Sequence, residues 1–277
     1  MLDPFDLPFM QRATAEIVLL APLAGLLGTQ IVLRRLAFFT HSVGTAAFPG
    51  LVVAGPWGIP PMLAAFVVGG GFAIVLERAG RGTAPARDAA TALLLVAALA
   101  LGIVLASDVF ATGAGVDRLL FGSLLAIGDT ELAVTAAVLA VSMLAAALFR
   151  RHWISSGFDD LGTGEPGLRT RAADLALLAL VAMAAIAAID AVGALLVSAI
   201  LVVPAATARL FARSVAGLEL GTMALALAQG LAGLVLAFEL DAPPGAVIAV
   251  LGAAVFAVAL LGREAAGRHS QARTVSS

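Results

Sequence analysis

The stretch RRLAFFTHSVGTAAFPG, Arg34–Gly50, decides how the chain is read. A doubled Arg closes one apolar run and opens the next, and His41 stands six residues beyond it. Thr45 follows four residues later, ahead of a break at Pro49–Gly50. An ionisable side chain inside a membrane segment is costly, so by default it marks a functional site. Helical i, i+4 spacing puts His41 and Thr45 on one face. The alternative is a hydrogen-bonded packing histidine near a helix end, and spacing alone does not separate the two.

Composition makes the bilayer the solvent. Of 277 residues, 61% are hydrophobic and 12% charged, with a mean hydropathy of +1.07. Soluble domains carry about 25% charged residues, so a water-soluble fold is excluded in favour of an integral membrane protein. Cys is absent, which rules out disulfides, thiolate metal sites and thiol catalysis. Lys is absent too, all 16 basic residues being Arg. A Walker A motif needs a Lys, so any ATP that drives this protein is bound by another chain. A net charge of −2 argues against a nucleic-acid partner.

Met1–Ala15 carries Asp3, Asp6, two Pro and one Arg. It lacks the basic start and small-residue cleavage site of a signal peptide, and reads as an uncleaved lead-in. Nine apolar runs follow: Glu16–Leu33, Leu36–Pro56, Pro60–Leu76, Ala89–Ala106, Glu131–Phe149, Ala172–Ile189, Ala191–Ala208, Gly217–Phe238 and Gly245–Leu261. At about 1.5 Å per residue, such runs cover most of a hydrocarbon core about 30 Å thick. The expected fold is an all-α polytopic bundle of about nine transmembrane helices, with eight to ten possible, over residues 1–262. Residues 263–277 are expected to form a polar cytoplasmic tail that frays in solvent. Val116–Gly128, apolar but short, predicts a partial or re-entrant helix.

Arginine placement sets the expected orientation, because cytoplasmic loops are enriched in basic residues. With the N-terminus outside and the C-terminus in the cytoplasm, fourteen of the sixteen Arg fall inside, leaving Arg12 and Arg118 outside. Eight crossings would require the short Ala191–Ala208 to lie flat or re-enter. The outer face then holds Asp108, Asp117, Asp129, Asp190, Glu239 and Asp241. These form either an acidic rim that attracts cations or ordinary solvated loops. Gly25 and Gly28, Gly69–Gly71, and Gly217 with Gly221 are candidate close-approach sites between helices.

Three stretches in register, Arg34–Gly50, Val116–Leu132 and Val192–Ser214, followed by DAPPG at Asp241–Gly245, resemble the membrane subunits of metal-uptake ABC transporters, the zinc/manganese/iron permease family. The resemblance implies a metal-type importer permease fold in the plasma membrane. It implies a homodimer with its pathway at or near the dimer interface, cytoplasmic ABC ATPase subunits that hydrolyse ATP, and an extracytoplasmic metal-binding protein. The permease itself would be no enzyme and hold no permanent cofactor; its cargo would be a divalent metal. Ala205–Gly217 falls in the segment that docks on the ATPase, which makes Ala205, Ala206, Arg209 and Arg213 coupling candidates. The alternative for the two Arg is a role in topology alone.

One departure from the family matters. Most members have Asp at the position of His41 and His at that of Thr45, a pair suited to a first-row divalent ion. The His-x-x-x-Thr version, continued by Ala-Ala-Phe-Pro-Gly, resembles a branch of zinc permeases, which makes zinc the first choice and manganese the second. Six residues of helix put His41 about 9 Å inward from the Arg pair. There a neutral imidazole would lend a transient ligand that protonation weakens. Asp190, Glu239 and Asp241 are candidate entry ligands, although Asp241 in DAPPG is equally suited to shaping a turn. Other classes fit less well. A stand-alone secondary transporter should show paired broken helices in two halves, and no convincing internal repeat is present. An intramembrane enzyme lacks any His-Glu-x-x-His, Ser/Lys or paired-Asp constellation. An ABC permease for a vitamin, siderophore or metal chelate would need a wider cavity.

Overall fold

The computed structural model describes residues 6–79, 84–109, 127–158, 168–193 and 197–275, together with residue 124. Among the described residues the chain forms nine helices, some of them broken, and no strand, in the order of the nine apolar runs; five of them are long and apolar enough to cross a membrane. The re-entrant segment expected at Val116–Gly128 lies almost wholly outside the described residues.

Helix α1, Pro8–Leu33, starts earlier than its apolar run because Pro8 occupies the first turn, where a missing N–H costs nothing. Pro22 stands inside it and has no N–H for the carbonyl four residues back. The chain answers with a wider π turn over Ala24–Gly28, the usual accommodation at such a defect. The helix closes in a Schellman turn. The Leu36 N–H bonds the Ile31 carbonyl at 2.8 Å and the Arg35 N–H bonds that of Val32 at 3.4 Å, and such bonds satisfy the orphan carbonyls of a helix end. Arg35 takes the left-handed position, φ 57°, where Gly is usual.

Helix α2, Ala37–Trp57, is two segments, Ala37–Ala46 and Phe48–Trp57. The break falls at Ala47 rather than at Pro49–Gly50, because Pro is tolerated in a first helical turn and the helix restarts just ahead of it. Then come α3, Pro61–Ala79, and α4, Ala84–Val104, prolonged by a π turn over Leu105–Val109. Helix α5, Asp129–Phe158, opens with Asp129 and Glu131 in its first turn. Glu131 accepts the Gly128 N–H at 2.9 Å, and acidic groups suit the positive end of a helix dipole. Helices α6, Leu168–Ala187, α7, Val197–Arg209, α8, Val215–Leu240, and α9, Pro244–Val275, complete the bundle. The tail expected to fray instead continues α9 as helix to Val275.

The seventh run departs most from expectation, since Ala191–Ala208 is not one helix. A single turn, Ile189–Val192, ends at Gly193, whose φ of 85° with ψ of 154° is open essentially to glycine alone. Helix α7 follows as Val197–Leu201 and Val203–Arg209, bent at Val202 ahead of Pro204. Its thirteen residues reach only about 20 Å at 1.5 Å each, short of a core of about 30 Å. Irregular backbone at membrane depth is tolerated where protein encloses it. That holds here: Val197, Leu201 and Ala205 are fully buried, and α7 packs against α1, α2, α8 and α9. Helices α3, α4 and α6 surround α2 on one side, while α5 and α8 flank α1 on the other.

Lipid tails offer no hydrophobic drive between helices, so small residues at the contacts carry the packing. A Cβ on Gly28 would collide with the Leu201 carbonyl of α7, and one on Gly50 would lie 2.6 Å from the Ala64 carbonyl oxygen of α3. A Cβ on Gly25 would meet the Glu219 carbonyl oxygen and Met223 Cβ at 3.0 Å. Of the expected Gly69–Gly71 stripe only Gly69 is close to a neighbouring helix; Gly70 and Gly71 face open space.

Candidate transport site and docking end

His41 stands on the first segment of α2, which packs against α3, α4, α6 and α7. Gly44 faces α7: a Cβ there would lie in ordinary contact with Val197, at 3.4 Å. The neighbouring hydroxyls are already used within the helix. Thr40 Oγ1 donates to the Leu36 carbonyl at 3.0 Å and Ser42 Oγ to that of Phe38 at 2.7 Å, a back-bonding common for Ser and Thr in helices. Thr45, on the His41 face, is 1% exposed. His41 is half-buried, and its Nδ1 is buried with no hydrogen-bond partner among the described residues. A buried polar atom left unpaired costs free energy and calls for an explanation. Phe38, three residues earlier, is 42% exposed, so His41 lies beside a face that opens away from the chain.

No group of three His, Cys, Asp or Glu comes together among the described residues. Among the described residues the donors at this point of α2 are the His41 Nδ1 and, one turn away, the buried Thr45 hydroxyl, a set too small to hold an ion tightly. An apolar groove of about 370 Å³ lies between α2, α3 and α6, lined by Phe39, Phe66, Ala73, Leu178 and Ile186 among others. It carries no titratable group and gives an ion nothing to bind.

Two of the three predicted entry carboxylates, Glu239 and Asp241, lie at the end of α8. Asp241 ends α8 in the left-handed conformation, φ 50°, and is exposed; its N–H bonds the Ala237 carbonyl. It shapes the turn, as Asp readily does in that region. Glu239 is exposed two residues earlier. The backbone of Asp190 lies in the turn Ile189–Val192, and its side chain is outside the described residues. Asp129 pairs with Arg12 at 3.1 Å.

The coupling candidates sort by burial. Ala205 is fully buried and faces α1, where a Cβ on Gly28 would lie 3.4 Å from its own. Ala206 is half-buried, whereas Arg209 and Arg213 are exposed, and Phe211 between them is 61% exposed. Ser214 then caps α8, accepting the Gly217 N–H at 3.1 Å.

Sequence reasoning missed a polar network at this end. Arg34 Nη1 donates to Asp174 Oδ1 at 2.6 Å, and Nη2 to the Trp153 carbonyl at 3.1 Å. Trp153 Nε1 donates to the Ala173 carbonyl at 2.8 Å, Arg209 Nη1 to that of Val32 at 2.8 Å, and Arg150 pairs with Glu219. These contacts gather the α1 and α5 C-terminal ends, the start of α6 and the α7–α8 link at one end of the bundle. The Arg12–Asp129 pair and the Phe9–Phe238 contact mark the other. Also missed was Glu16 in α1, 1% exposed, which accepts from Thr135 Oγ1 of α5 at 2.7 Å. Its signal was present, since an acid inside an apolar run meets the same rule that singled out His41.

Known proteins share this architecture. Residues 6–263 match the model of the family described as ABC 3 transport family. The chain is 29% identical over 251 residues to the manganese transport system membrane protein MntC of Halalkalibacterium halodurans, covering 91% of this chain and 86% of that protein. It is 28% identical over 259 residues to the chelated iron transport system membrane protein YfeD of Yersinia pestis, covering 94% and 87%. A solved structure, PsaBC from Streptococcus pneumoniae in complex with Fab, has a TM-score of 0.81 at 26% identity, covering 93% of each chain. The family match runs from the first turn of α1 into the Arg-rich end of α9, through every span of the bundle: this multi-pass membrane permease belongs to the ABC 3 transport family.

Proposed function

We propose that this chain is the permease subunit of an ATP-binding cassette importer that moves a first-row divalent metal, zinc before manganese, into the cytoplasm. The observation that carries this reading is the buried Nδ1 of His41, which has no partner among the described residues, seven residues past Arg34 in a membrane span. A transported ion must leave as well as enter, so a weak site suits conduction. Thr45 adds only a hydroxyl. An imidazole at position 41, where most of the family carries a carboxylate, favours zinc or ferrous iron over manganese, which prefers oxygen donors. Relatives named for manganese and chelated iron support the metal class. A homodimer would present two His41 side chains to one path, in keeping with the exposed Phe38 beside it.

ATP hydrolysis belongs to a separate cytoplasmic subunit, since this chain has no Lys for a Walker A. The exposed Arg209, Phe211 and Arg213 are the surface offered to it; Ala206 lies behind them, and Ala205 faces inward. Arginine counts support an outside N-terminus in the plasma membrane. Asp190, Glu239 and Asp241 would meet cations released by an extracytoplasmic metal-binding protein. The test is uptake of zinc into liposomes holding this chain with its ATPase and binding protein. His41→Ala should lose most ATP-dependent uptake; unchanged uptake removes the role.

A further inference from the structure

The turn that joins α1 to α2 is gripped from three directions. The last carbonyls of a helix have no partner within it. Here the Val32 carbonyl takes the guanidinium of Arg209, 177 residues away, at the end of α7. Two residues on, Arg34 reaches Asp174 at the start of α6 and the Trp153 carbonyl on α5. Its side chain is 14% exposed and that of Asp174 40%. Trp153, 1% exposed, is held in turn by the Ala173 carbonyl, so the Arg34 partners on α5 and α6 are themselves tied together. Helix α2 begins at Ala37, just past the Schellman turn.

We propose that Arg34 is a positioning residue for coupling. Its pairing with Asp174, together with the Arg209 bond to Val32, carries movement of the α7–α8 link into the turn that aims α2 and His41. This rests on the importer reading above. Away from the clamp, the packing of α7 on α2 is made by its first segment, Val197–Leu201, where Val197 lies close to Gly44, and an apolar contact of that kind can slide. With the clamp, the α1 end, α5, α6 and the α7 end move together. The pair is charge-assisted and short, the kind of bond that resists reorientation. Neutralising Asp174 takes the carboxylate away from a guanidinium that is 14% exposed, which weakens the hold on the turn. A simple staple would lower stability but leave the metal moved per ATP unchanged, and that ratio is the discriminating readout.

The experiment uses the complete transporter in liposomes, with zinc as probe, and measures zinc accumulated per ATP hydrolysed. Asp174→Asn is expected to lower the ratio about tenfold, within the usual range of coupling free energies. The charge-swapped pair, Arg34→Asp with Asp174→Arg, should recover much of it. Arg34→Gln, which removes the charge and lies outside the docking surface, should lower the ratio as well. An unchanged ratio in either single variant overturns the proposal. So does a fall that tracks melting temperature and is not recovered by the swap. The unsubstituted complex separates the two claims: if it moves no metal the importer reading fails, whereas normal transport with full coupling in the variants sinks the clamp alone.

Discussion

Replacing Gly50 with Ala would drive a methyl group into the backbone of α3. The added Cβ would lie 2.6 Å from the Ala64 carbonyl oxygen, 2.9 Å from its carbon and 3.1 Å from Val68 Cβ. Ordinary contact begins at 3.4 Å, so the methyl sits about 0.8 Å too deep, against backbone that cannot rotate away. The second segment of α2 and α3 must therefore part. Overpacking of this kind costs about 1–3 kcal/mol, and the better helix propensity of Ala over Gly returns about 1 kcal/mol. Gly70→Ala on α3 is the control. Nothing lies within 4 Å of its Cβ position, so it should collect the propensity gain without the clash. The two variants should then differ by about 2 kcal/mol, or about 4–8 °C in melting temperature for a chain of this size. Thermal unfolding of the purified chain in detergent, followed by the fluorescence of Trp57 and Trp153, reads the difference. If Gly50→Ala melts at or above Gly70→Ala, backbone approach does not set the α2–α3 contact.

Other substitutions probe the polar contacts inside the bundle. Thr135→Val takes away the donor to the buried Glu16 carboxyl and should cost about 1–3 kcal/mol, measured by the same melt. Ser214→Ala removes the cap of α8. A loss of about 0.5–2 kcal/mol is expected, visible as faster hydrogen exchange at residues 215–218. Arg12→Ala should leave the melting temperature in place, because its pair with Asp129 is solvent-exposed on both sides and such pairs contribute about 0–1 kcal/mol.

The nine helices were legible because a bilayer leaves so few options: a crossing needs a long apolar run, and its interruptions are costly. What sequence could not supply was the effect of neighbours. Gly193 and Pro204 were visible, but that they divide the seventh run depends on α1, α2, α8 and α9 enclosing α7 and supplying the surroundings that lipid cannot. The break in α2 moved to Ala47 because Pro49 can sit in a first turn as well as end a helix. His41 and Thr45 were readable as one helical face, but that the His41 Nδ1 has no partner among the described residues followed only from the structure. Pairings such as Arg34 with Asp174, 140 residues apart, or Glu16 with Thr135, 119 apart, carry no local pattern. Glu16 itself was within reach of the rule applied to His41.

The most direct test of the metal-permease account is ATP-driven uptake by the complete transporter in liposomes, offered zinc and manganese separately, with and without His41→Ala. The account predicts zinc accumulation that manganese does not match and that falls sharply without the imidazole. Manganese uptake that outpaces zinc and survives the loss of His41 would contradict it.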